Sequence, residues 1–204
     1  MSDLWTSPFG DDYTARNRNA ALGSREALWE MLLPVDCASV LEVGANVGHN
    51  LVAISNINTC DLFACEPNAM ARSELIATLD DLDQPPQHVT ADRADKLSFG
   101  DGVADLAFTL GVLIHIPPDQ LLASMREIHR CARRWIVCGE YFAPQQEMVP
   151  YHGHNDALWR RDYGSLWLDH FPDLHCQTCF FAWKRMTGLD NLTVWLFKKG
   201  AKRH

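Results

Sequence analysis

Residues 39–50, Ser39-Val-Leu-Glu-Val-Gly-Ala-Asn-Val-Gly-His-Asn50, decide the fold of this protein. A short apolar run, predicted as the strand Ser39–Val43, leads into a tight loop over residues 44–48, and a helix is predicted from about His49. Glycines let such a loop approach a ligand closely, and the start of the helix behind it presents free backbone N–H groups. The segment therefore predicts a nucleotide-binding strand–turn–helix unit, and the alternative is an ordinary corner between strand and helix.

Outward from this unit, short apolar runs alternate with helical segments. Further strands are predicted at residues 61–66, 88–90, 104–110 and 135–140, and helices at residues 24–33, 68–79 and 118–130, with Ser24 and Asn68 as caps of the first two. Two last strands, at residues 175–183 and 191–198, follow with no helix predicted between them. Strands that alternate with helices form a mostly parallel sheet covered on both faces. The prediction is an α/β, doubly wound, Rossmann-like sheet of seven strands with a terminal antiparallel hairpin.

Chain length and charge narrow the class of protein. The 204 residues predict a single domain over residues 1–204. A net charge of −8 disfavours nucleic acid, whose binding needs clustered Lys and Arg. No apolar stretch is long enough to span a bilayer, and the N-terminus does not have the basic and apolar regions of a signal peptide. We therefore expect a cytoplasmic protein that does not bind membranes.

The seven cysteines are an odd number, and several of them lie in apolar, strand-like runs. We therefore expect buried, reduced thiols. Cys176 and Cys179 have the spacing of zinc ligands, but a second pair of closely spaced cysteines is missing. Residues three apart in a strand also point to opposite faces, so we expect no metal site.

Acidic residues accompany the glycine loop at two places. Glu42 precedes Gly44 by two residues, and Glu66, in the segment Glu66-Pro67-Asn68, follows Gly44 by 22 residues. In a doubly wound fold, an acid at the end of the second strand accepts hydrogen bonds from ribose hydroxyls, and the alternative is a solvated acid at a strand end. Asn46 stands between the two glycines, and Asn tolerates a left-handed backbone better than most non-glycine residues.

Two later strand ends carry further candidate residues. The third strand is followed by Asp92-Arg93-Ala94-Asp95, and the fourth ends at Leu110 and continues through Gly111 to His115. In sheets of this type, ligands bind at the carboxyl ends of the parallel strands. His115 is therefore a candidate for proton transfer, and the alternative is a histidine packed in the core.

The order of these motifs resembles that of class I S-adenosylmethionine-dependent methyltransferases, whose first motif reads E-x-G-x-G-x-G. The resemblance implies that S-adenosylmethionine is the cofactor. It also implies a set of cofactor-binding residues in four groups: Glu42, Gly44, Asn46 and Gly48 at the amino-acid part; Glu66 and Pro67 at the ribose; Asp92 or Asp95 with Arg93 and Ala94 at the adenine; and Leu110 and Gly111 beside them.

Several segments of the chain are similar in sequence to the pseudaminic acid biosynthesis-associated methylase family. The similar segments are residues 9–13 with Arg16 and Asn17, then residues 42–50, 66–68, 111–116, 149–154 and 160–163. The chain departs from that family at Leu110, where a Lys is expected, and at His152, where an Arg is expected. The resemblance implies methyl transfer to O or N of a small, polar metabolite, such as an amino sugar of a nonulosonic acid pathway or a natural-product intermediate.

Polar residues beyond the fifth strand are candidates for contact with the acceptor. Glu140 and Tyr141 end that strand beside the expected methyl position, where Glu140 is a candidate base and the alternative is pairing with a nearby Arg. Residues 141–172 are predicted as a substrate-recognition loop and helix. Catalysis is assigned to His115, Glu140, Tyr141 and His154, and substrate binding to Tyr151, His152, Arg160 and Arg161.

Residues 1–20 mix aromatic and polar side chains, which predicts a helical lid. Tyr13 and Arg16 are three apart and share a helix face, so we expect them to cover the cofactor and to pair with its carboxylate. The alternative is an arm that only packs against the domain.

Two other functions stay open at this point. A nicotinamide-dependent oxidoreductase is disfavoured by the four-residue glycine spacing and by the terminal hairpin. A methyltransferase-like subunit without catalytic activity is disfavoured because Glu42, Gly44, Gly48 and Glu66 are present together. The expected partner is a small-molecule acceptor, and the expected assembly is a monomer or a homodimer.

Overall fold

A computed structural model describes residues 3–18, 22–82 and 88–200. The first two and last two residues of the predicted lid, residues 1–20, lie outside the described residues. The helices are α1 Pro8–Asn17, α2 Leu22–Leu32, α3 His49–Ile57, α4 Ala69–Asp80, α5 Pro118–Cys131, α6 Tyr163–His170 and α7 Lys184–Thr187. The strands are β1 Ser39–Val43, β2 Asp61–Cys65, β3 His88–Thr90, β4 Ala104–Leu110, β5 Ala132–Glu140, β6 Glu147–Met148, β7 Trp159–Arg160, β8 Leu174–Ala182 and β9 Leu192–Lys199.

Seven of these strands form one sheet in the order β3-β2-β1-β4-β5-β9-β8. Strands β1 to β5 pair in parallel, whereas β9 pairs antiparallel with both β5 and β8. The predicted Rossmann-like sheet with a terminal antiparallel hairpin is therefore confirmed. The central strands read as continuous apolar runs because helices cover both of their faces: every residue of β1 is buried.

The strand order places the carboxyl ends of β1, β2, β4 and β5 at one edge of the sheet. The chain leaves β1 for β2 on one side, and β4 lies on the other side of β1. Ligands of open α/β sheets bind in the crevice at such a switch point. The loops that follow these four strands are therefore the expected walls of a site.

The apolar core lies in two layers, one on each face of the sheet. On the face covered by α2 and α3, Trp29 packs edge-on against Phe108 with ring centroids 4.4 Å apart. On the opposite face, Trp167 of α6 lies 6.2 Å from Phe197. Close packing there requires Gly164, because a Cβ at this position would lie 2.4 Å from Nε1 of Trp195.

Several predicted boundaries were wrong. Helix α2 begins at Leu22, so Ser24 lies inside it and does not cap it, whereas Asn68 caps α4 as predicted by accepting the Ala71 N–H at 2.8 Å. Strand β5 begins at Ala132, before its apolar run, because its first residues still pair with β4. The one-turn helix α7 lies between β8 and β9, where no helix was predicted.

The predicted loop after Tyr141 is a long irregular hairpin. Near its base, the Arg161 N–H donates to Tyr141 O at 3.4 Å and the Ala143 N–H donates to Arg161 O at 3.2 Å. Strands β6 and β7 pair along it, and at its tip Tyr151 and His154 exchange two backbone hydrogen bonds. We call residues 141–161 the late hairpin.

The cysteine prediction was correct at five positions and wrong at two. The five buried cysteines are Cys37, Cys60, Cys65, Cys131 and Cys138, whereas Cys176 and Cys179 are exposed on the edge strand β8. A bulge between Cys176 and Thr178 pairs Cys176 with Phe197 and Cys179 with Trp195. Because these partners are two residues apart on β9, both thiols point to the same face, against the expectation of opposite faces.

Within residues 3–18, 22–82 and 88–200, no helix combines the length and the apolar character that crossing a membrane requires.

Candidate active site

A cleft opens at the carboxyl edge of the sheet, at the predicted switch point. Its floor is the glycine loop after β1, and its sides are the residues that follow β2 and β4. The 3-10 turn Asp3–Thr6 and helix α1 lie over it. Among the predicted cofactor-binding residues, those that line the cleft are Tyr13, Glu42, Gly44, Asn46, Glu66, Pro67, Leu110 and Gly111.

The glycine loop needs a left-handed backbone at three positions. The φ angles of Gly44, Asn46 and Gly48 are 78°, 47° and 87°. A Cβ on Gly44 would lie 2.8 Å from the Val112 side chain, and a Cβ on Gly48 would lie 2.7 Å from the Leu75 side chain. Both glycines are therefore required, and Asn46 occupies the one position at which a side chain has room.

Glu66 lies at the end of β2 with both carboxylate oxygens directed at backbone N–H groups. Oε2 accepts from Asn46 and Oε1 accepts from Asn68, each at 2.8 Å. Burial raises the pKa of Glu66, and these two hydrogen bonds act against that rise. Each carboxylate oxygen has two lone pairs, so the side chain can accept further hydrogen bonds from a ligand in the cleft.

A chain of three polar side chains lies at the other end of the cleft. Arg25 Nη1 donates to Asn50 Oδ1 at 2.7 Å, and Asn50 Nδ2 donates to Glu42 Oε1 at 2.5 Å. Burial raises the pKa of Glu42 to about 8. Sequence analysis missed Arg25 and Asn50, because α2 must pack against α3 before the two side chains meet and no motif marks this contact.

Four buried polar atoms, each on a residue that lines this cleft, have no hydrogen-bond partner within the described residues. They are Trp5 Nε1, Arg25 Nε, Glu42 Oε2 and Asn46 Oδ1. Buried polar atoms in folded proteins nearly always have a partner, and leaving one without a partner costs about 1–3 kcal/mol. Two of these atoms are N–H donors and two are oxygens, a set that suits the amino-acid end of S-adenosylmethionine with its carboxylate and its ammonium.

The N-terminal segment is held over the cleft by specific contacts. Asn68 Nδ2 donates to Trp5 O at 3.1 Å and to Asp11 Oδ1 at 2.8 Å. A Cβ on Gly10 would lie 2.0 Å from Trp5 O, so only glycine fits where α1 crosses the preceding turn. Tyr13 faces the cleft, whereas Arg16 is exposed and does not line it.

His115 lies where the cleft meets the late hairpin. Its Nδ1 is 2.6 Å from the carbonyl oxygen of Ala157. A carbonyl only accepts, so Nδ1 carries the proton and Nε2 carries the lone pair. Burial lowers the pKa of His115 to about 4, and the ring packs 4.3 Å from Trp5 and 5.1 Å from Tyr151.

The tip of the late hairpin contacts the N-terminal segment. The ring of Phe9 lies 5.0 Å from His154 and 6.3 Å from Tyr151. His152 is exposed, with a left-handed backbone at φ 46°. The structure therefore brings together Tyr151, His154 and the predicted lid beside His115.

The residues predicted at the adenine lie outside the cleft lining. Asp92 Oδ2 accepts three hydrogen bonds from Thr90 and Ser98, at 2.6–2.8 Å, and so closes its own loop. Arg93 Nε lies 3.5 Å from Asp95, and Ala94 is buried. Asp92 does not reach the cleft because its carboxylate turns back onto Ser98 in the same loop.

Four residues predicted to meet the acceptor have other partners. Glu140 is fully buried and accepts backbone N–H groups, and the guanidinium of Arg161 is buried among backbone carbonyls. Tyr141 donates to Asp190 at 3.1 Å, and exposed Arg160 lies 3.9 Å from Glu147. None of the four side chains lines the cleft in the part of the chain that the structure describes, because each has turned to partners in the protein.

No protein-family model matches the chain, and no curated protein matches it. Solved structures do match it. One is magnesium protoporphyrin IX methyltransferase from Synechocystis PCC 6803 with bound S-adenosylmethionine, with a TM-score of 0.71 and 14% identity over 97% of this chain and 94% of that one. Another is Burkholderia thailandensis 1,6-didemethyltoxoflavin-N1-methyltransferase, with a TM-score of 0.72 and 16% identity over 94% and 84%.

A third match is a chain from a Haloferax volcanii complex between the Trm112 methyltransferase activator and a methyltransferase. Its TM-score is 0.72 and its identity 14%, over 95% of this chain and 97% of that one. At such identities the likeness shows the fold alone, and that fold is the Rossmann-like fold of class I methyltransferases. The resemblance to the pseudaminic acid biosynthesis-associated methylase family is not confirmed, because no family model matches.

Proposed function

We propose that this protein is an S-adenosylmethionine-dependent methyltransferase that acts on O or N of a small, polar metabolite. One observation carries the proposal: Arg25 and Glu42 line one cleft of a methyltransferase fold, and Nε of Arg25 and Oε2 of Glu42 are buried without a protein partner in the described chain. The amino-acid end of S-adenosylmethionine has a carboxylate, which is complementary to Arg25, and an ammonium, which is complementary to Glu42. Two similar structures hold this cofactor or its product, as bound S-adenosylmethionine and S-adenosylhomocysteine.

Residues of this chain divide the binding of the cofactor between the two ends of the cleft. Arg25 binds the carboxylate, Glu42 binds the ammonium, and Glu66 accepts from the ribose hydroxyls. Arg25 takes the role that the sequence predicted for Arg16, because Arg25 is the arginine that lines the cleft. The Asp92 carboxylate is not assigned to the adenine, since Asp92 does not line the cleft and its Oδ2 is turned to Thr90 and Ser98.

The cofactor supplies a methyl group on a sulfonium, and the protein orients the acceptor and keeps water out. His115 Nε2 accepts a hydrogen bond from the attacking O–H or N–H and takes up its proton as the methyl group is transferred, because the bond to Ala157 keeps Nδ1 protonated. The low pKa of His115, about 4, keeps that lone pair free at neutral pH. The Trp5, Phe9 and Tyr151 rings close the space around it.

The acceptor site lies between His115 and the tip of the late hairpin. Tyr151 and His154 border it, and His152 stands at its outer rim. Arg16 is exposed and close enough to Tyr151 to lower the pKa of its hydroxyl, against the rise that burial causes. A cation and two imidazoles at the mouth suit an acceptor that carries a negative group, such as the acidic amino sugar that the resemblance implies.

Ligand binding separates this function from its alternatives. S-adenosylhomocysteine should raise the melting temperature and bind with a measurable heat, whereas NAD should do neither. Stabilisation by NAD would identify an oxidoreductase, and no binding of either ligand would favour a subunit without catalytic activity. Mass spectrometry of reactions with candidate amino sugars should then show a gain of one methyl group in the true acceptor.

A further inference from the structure

The 3-10 turn Leu113–His115 carries the candidate base and is held from its N-terminal side by Glu140. Oε1 of Glu140 accepts the N–H groups of Val112 at 3.3 Å and Leu113 at 3.0 Å. Oε2 accepts the N–H of Ile114 at 3.2 Å. One buried carboxylate therefore binds three successive backbone N–H groups at the start of the turn.

Arg161 holds the other end of the same turn. Its Nη1 and Nη2 both donate to the carbonyl of Ile116 at 3.2 Å, and Nη1 also reaches the carbonyl of Leu113 at 3.5 Å. The guanidinium also donates to Tyr163 Oη at 3.2 Å and to Gln146 Oε1 at 2.9 Å, and it lies 5.4 Å from the centroid of the Trp159 ring. Arg161 as a whole is only 2% exposed, so its guanidinium is buried.

Two buried ionisable side chains on one three-residue turn need an explanation. Removing a charge from water costs several kcal/mol, so structural ends of turns are usually satisfied by neutral groups. Among the described residues, neither Glu140 nor Arg161 forms a salt bridge. Glu140 instead accepts from the N–H groups at the start of the turn that carries His115, and Arg161 donates to the carbonyl groups at its end.

The hydrogen bonds from both sides leave the turn little freedom. Ala157 binds His115 Nδ1, and Ala157 and Arg161 both belong to the late hairpin. The late hairpin and the end of β5 thus fix the imidazole from two directions. A shift of about 1 Å in a reacting group can cost two orders of magnitude in rate, so such restraint has a use at a methyl-transfer site.

We propose that Glu140 and Arg161 are positioning residues that clamp the His115 turn, so that Nδ1 stays on Ala157 and Nε2 stays directed at the acceptor. Neither side chain touches the acceptor. This inference rests on the proposed function, because it gives His115 a task that only an acceptor beside it requires.

The test is nitrogen NMR of histidine-labelled full-length protein across pH 5 to 8. In the wild-type protein, His115 should show one tautomer, with Nδ1 protonated, and should stay neutral. In Glu140→Gln an amide N–H faces a backbone N–H. In Arg161→Met the Ile116 carbonyl loses its guanidinium donors, and the Leu113 carbonyl keeps only the Ile116 N–H at 3.1 Å. In both variants the tautomers should mix, and the protonation midpoint of His115 should rise by roughly 1–2 pH units toward its ordinary value.

Matched controls remove exposed charges from the same neighbourhood of the chain. Glu147 and Arg126 are exposed, so Glu147→Gln and Arg126→Met should leave the His115 signals unchanged. Tyr151 is the titratable ring in contact with His115, and its raised pKa keeps it neutral throughout the pH range used. Glu140 changes charge within that range, because burial raises its pKa to about 7, so the tautomers of wild type and variants are compared at pH 8. If the Gln or Met variant does not fold, Glu140→Asp and Arg161→Lys give the readout, and each should show a smaller shift in the same direction.

Unchanged tautomer and midpoint in folded variants would overturn the proposal. Calorimetry with S-adenosylhomocysteine, run on the same samples, keeps the two claims apart. Affinity within about twofold of wild type, together with a disturbed His115, supports the clamp, since the cofactor end of the cleft is then intact. Loss of cofactor binding by the wild-type protein would refute the proposed function while the state of His115 stayed readable.

Discussion

Glu66 Oε2 accepts the backbone N–H of Asn46 across 2.8 Å, and this hydrogen bond ties the end of β2 to the glycine loop that follows β1. The carboxylate therefore shapes the loop before any ligand binds. The same side chain is the proposed partner of the ribose hydroxyls. Binding of the cofactor and the conformation of the loop are linked through one acid.

Replacement of Glu66 with Ala should weaken S-adenosylhomocysteine binding by about 1–3 kcal/mol, through the loss of charge-assisted hydrogen bonds. Calorimetry gives the affinity, and circular dichroism shows whether the variant is folded. Glu30 is exposed, so Glu30→Ala is the matched control and should bind like wild type. Equal affinity in a folded Glu66→Ala variant would remove Glu66 from the site.

The roles of Arg16 and Arg25 can be separated with two ligands. Arg25→Ala should reduce affinity for S-adenosylhomocysteine roughly tenfold or more, as the loss of a hydrogen bond to a charged group does. Affinity for methylthioadenosine, which has no amino-acid carboxylate, should change little. Arg16→Ala should leave both affinities nearly unchanged, because Arg16 does not line the cleft. The opposite pattern would return the carboxylate to Arg16.

Cofactor affinity should depend on pH through Glu42. Burial raises the pKa of Glu42 to about 8, so the carboxyl holds its proton at neutral pH in the free protein. An ammonium bound beside it favours the carboxylate, so binding releases a proton and affinity increases as pH rises from 6 to 8. The increase should approach tenfold per pH unit at most.

The Glu42→Gln variant provides the comparison for this pH dependence. The pKa of Glu66 is also raised by burial, so cofactor affinity can still depend on pH in the variant. The wild-type slope of affinity against pH is therefore compared with the slope of the variant. Titrations at pH 6, 7 and 8 should show a flatter dependence in Glu42→Gln. Identical slopes in the two proteins would mean that the ammonium binds elsewhere.

Closure by the N-terminal segment can be tested at a glycine. A Cβ on Gly10 would lie 2.0 Å from Trp5 O, so Gly10→Ala should lift the turn at residues 3–6 from α1. Hydrogen exchange in residues 3–17 should slow when S-adenosylhomocysteine binds to wild type, and this protection should be lost in Gly10→Ala. Gly23→Ala is the control, because a Cβ there meets no atom of the described chain within 4 Å. Equal exchange with and without ligand in wild type would reduce the segment to a packing arm.

Recognition of the acceptor should depend on the tip of the late hairpin. His154→Ala removes the ring that packs 5.0 Å from Phe9, and should lower turnover or raise the KM of the acceptor. Cofactor affinity should stay nearly constant, because His154 is not among the residues that line the cofactor cleft. Full activity of this variant on the identified acceptor would leave recognition to His115 and Tyr151.

Local sequence determined the strands, the glycine loop and the acid at the end of β2. The apolar run of residues 104–110 is buried on both faces, and its strand has the predicted bounds. The spacing of Gly44, Gly48 and Glu66 predicted a ligand-binding cleft. Gly44 and Glu66 line the cleft in the structure, and Gly48 does not. These features depend on periodicity and on backbone conformation, which neighbouring residues set among themselves.

Tertiary structure decided which charged side chains reach the cleft. Arg25, Glu140 and Arg161 are each placed by contacts with segments distant in the chain, such as Asn50 for Arg25 and the His115 turn for the other two. The bulge in β8 likewise put Cys176 and Cys179 on one face, although their spacing in a regular strand predicts opposite faces. A side chain's partner depends on packing between elements, and packing is a property of the assembled fold that no local pattern contains.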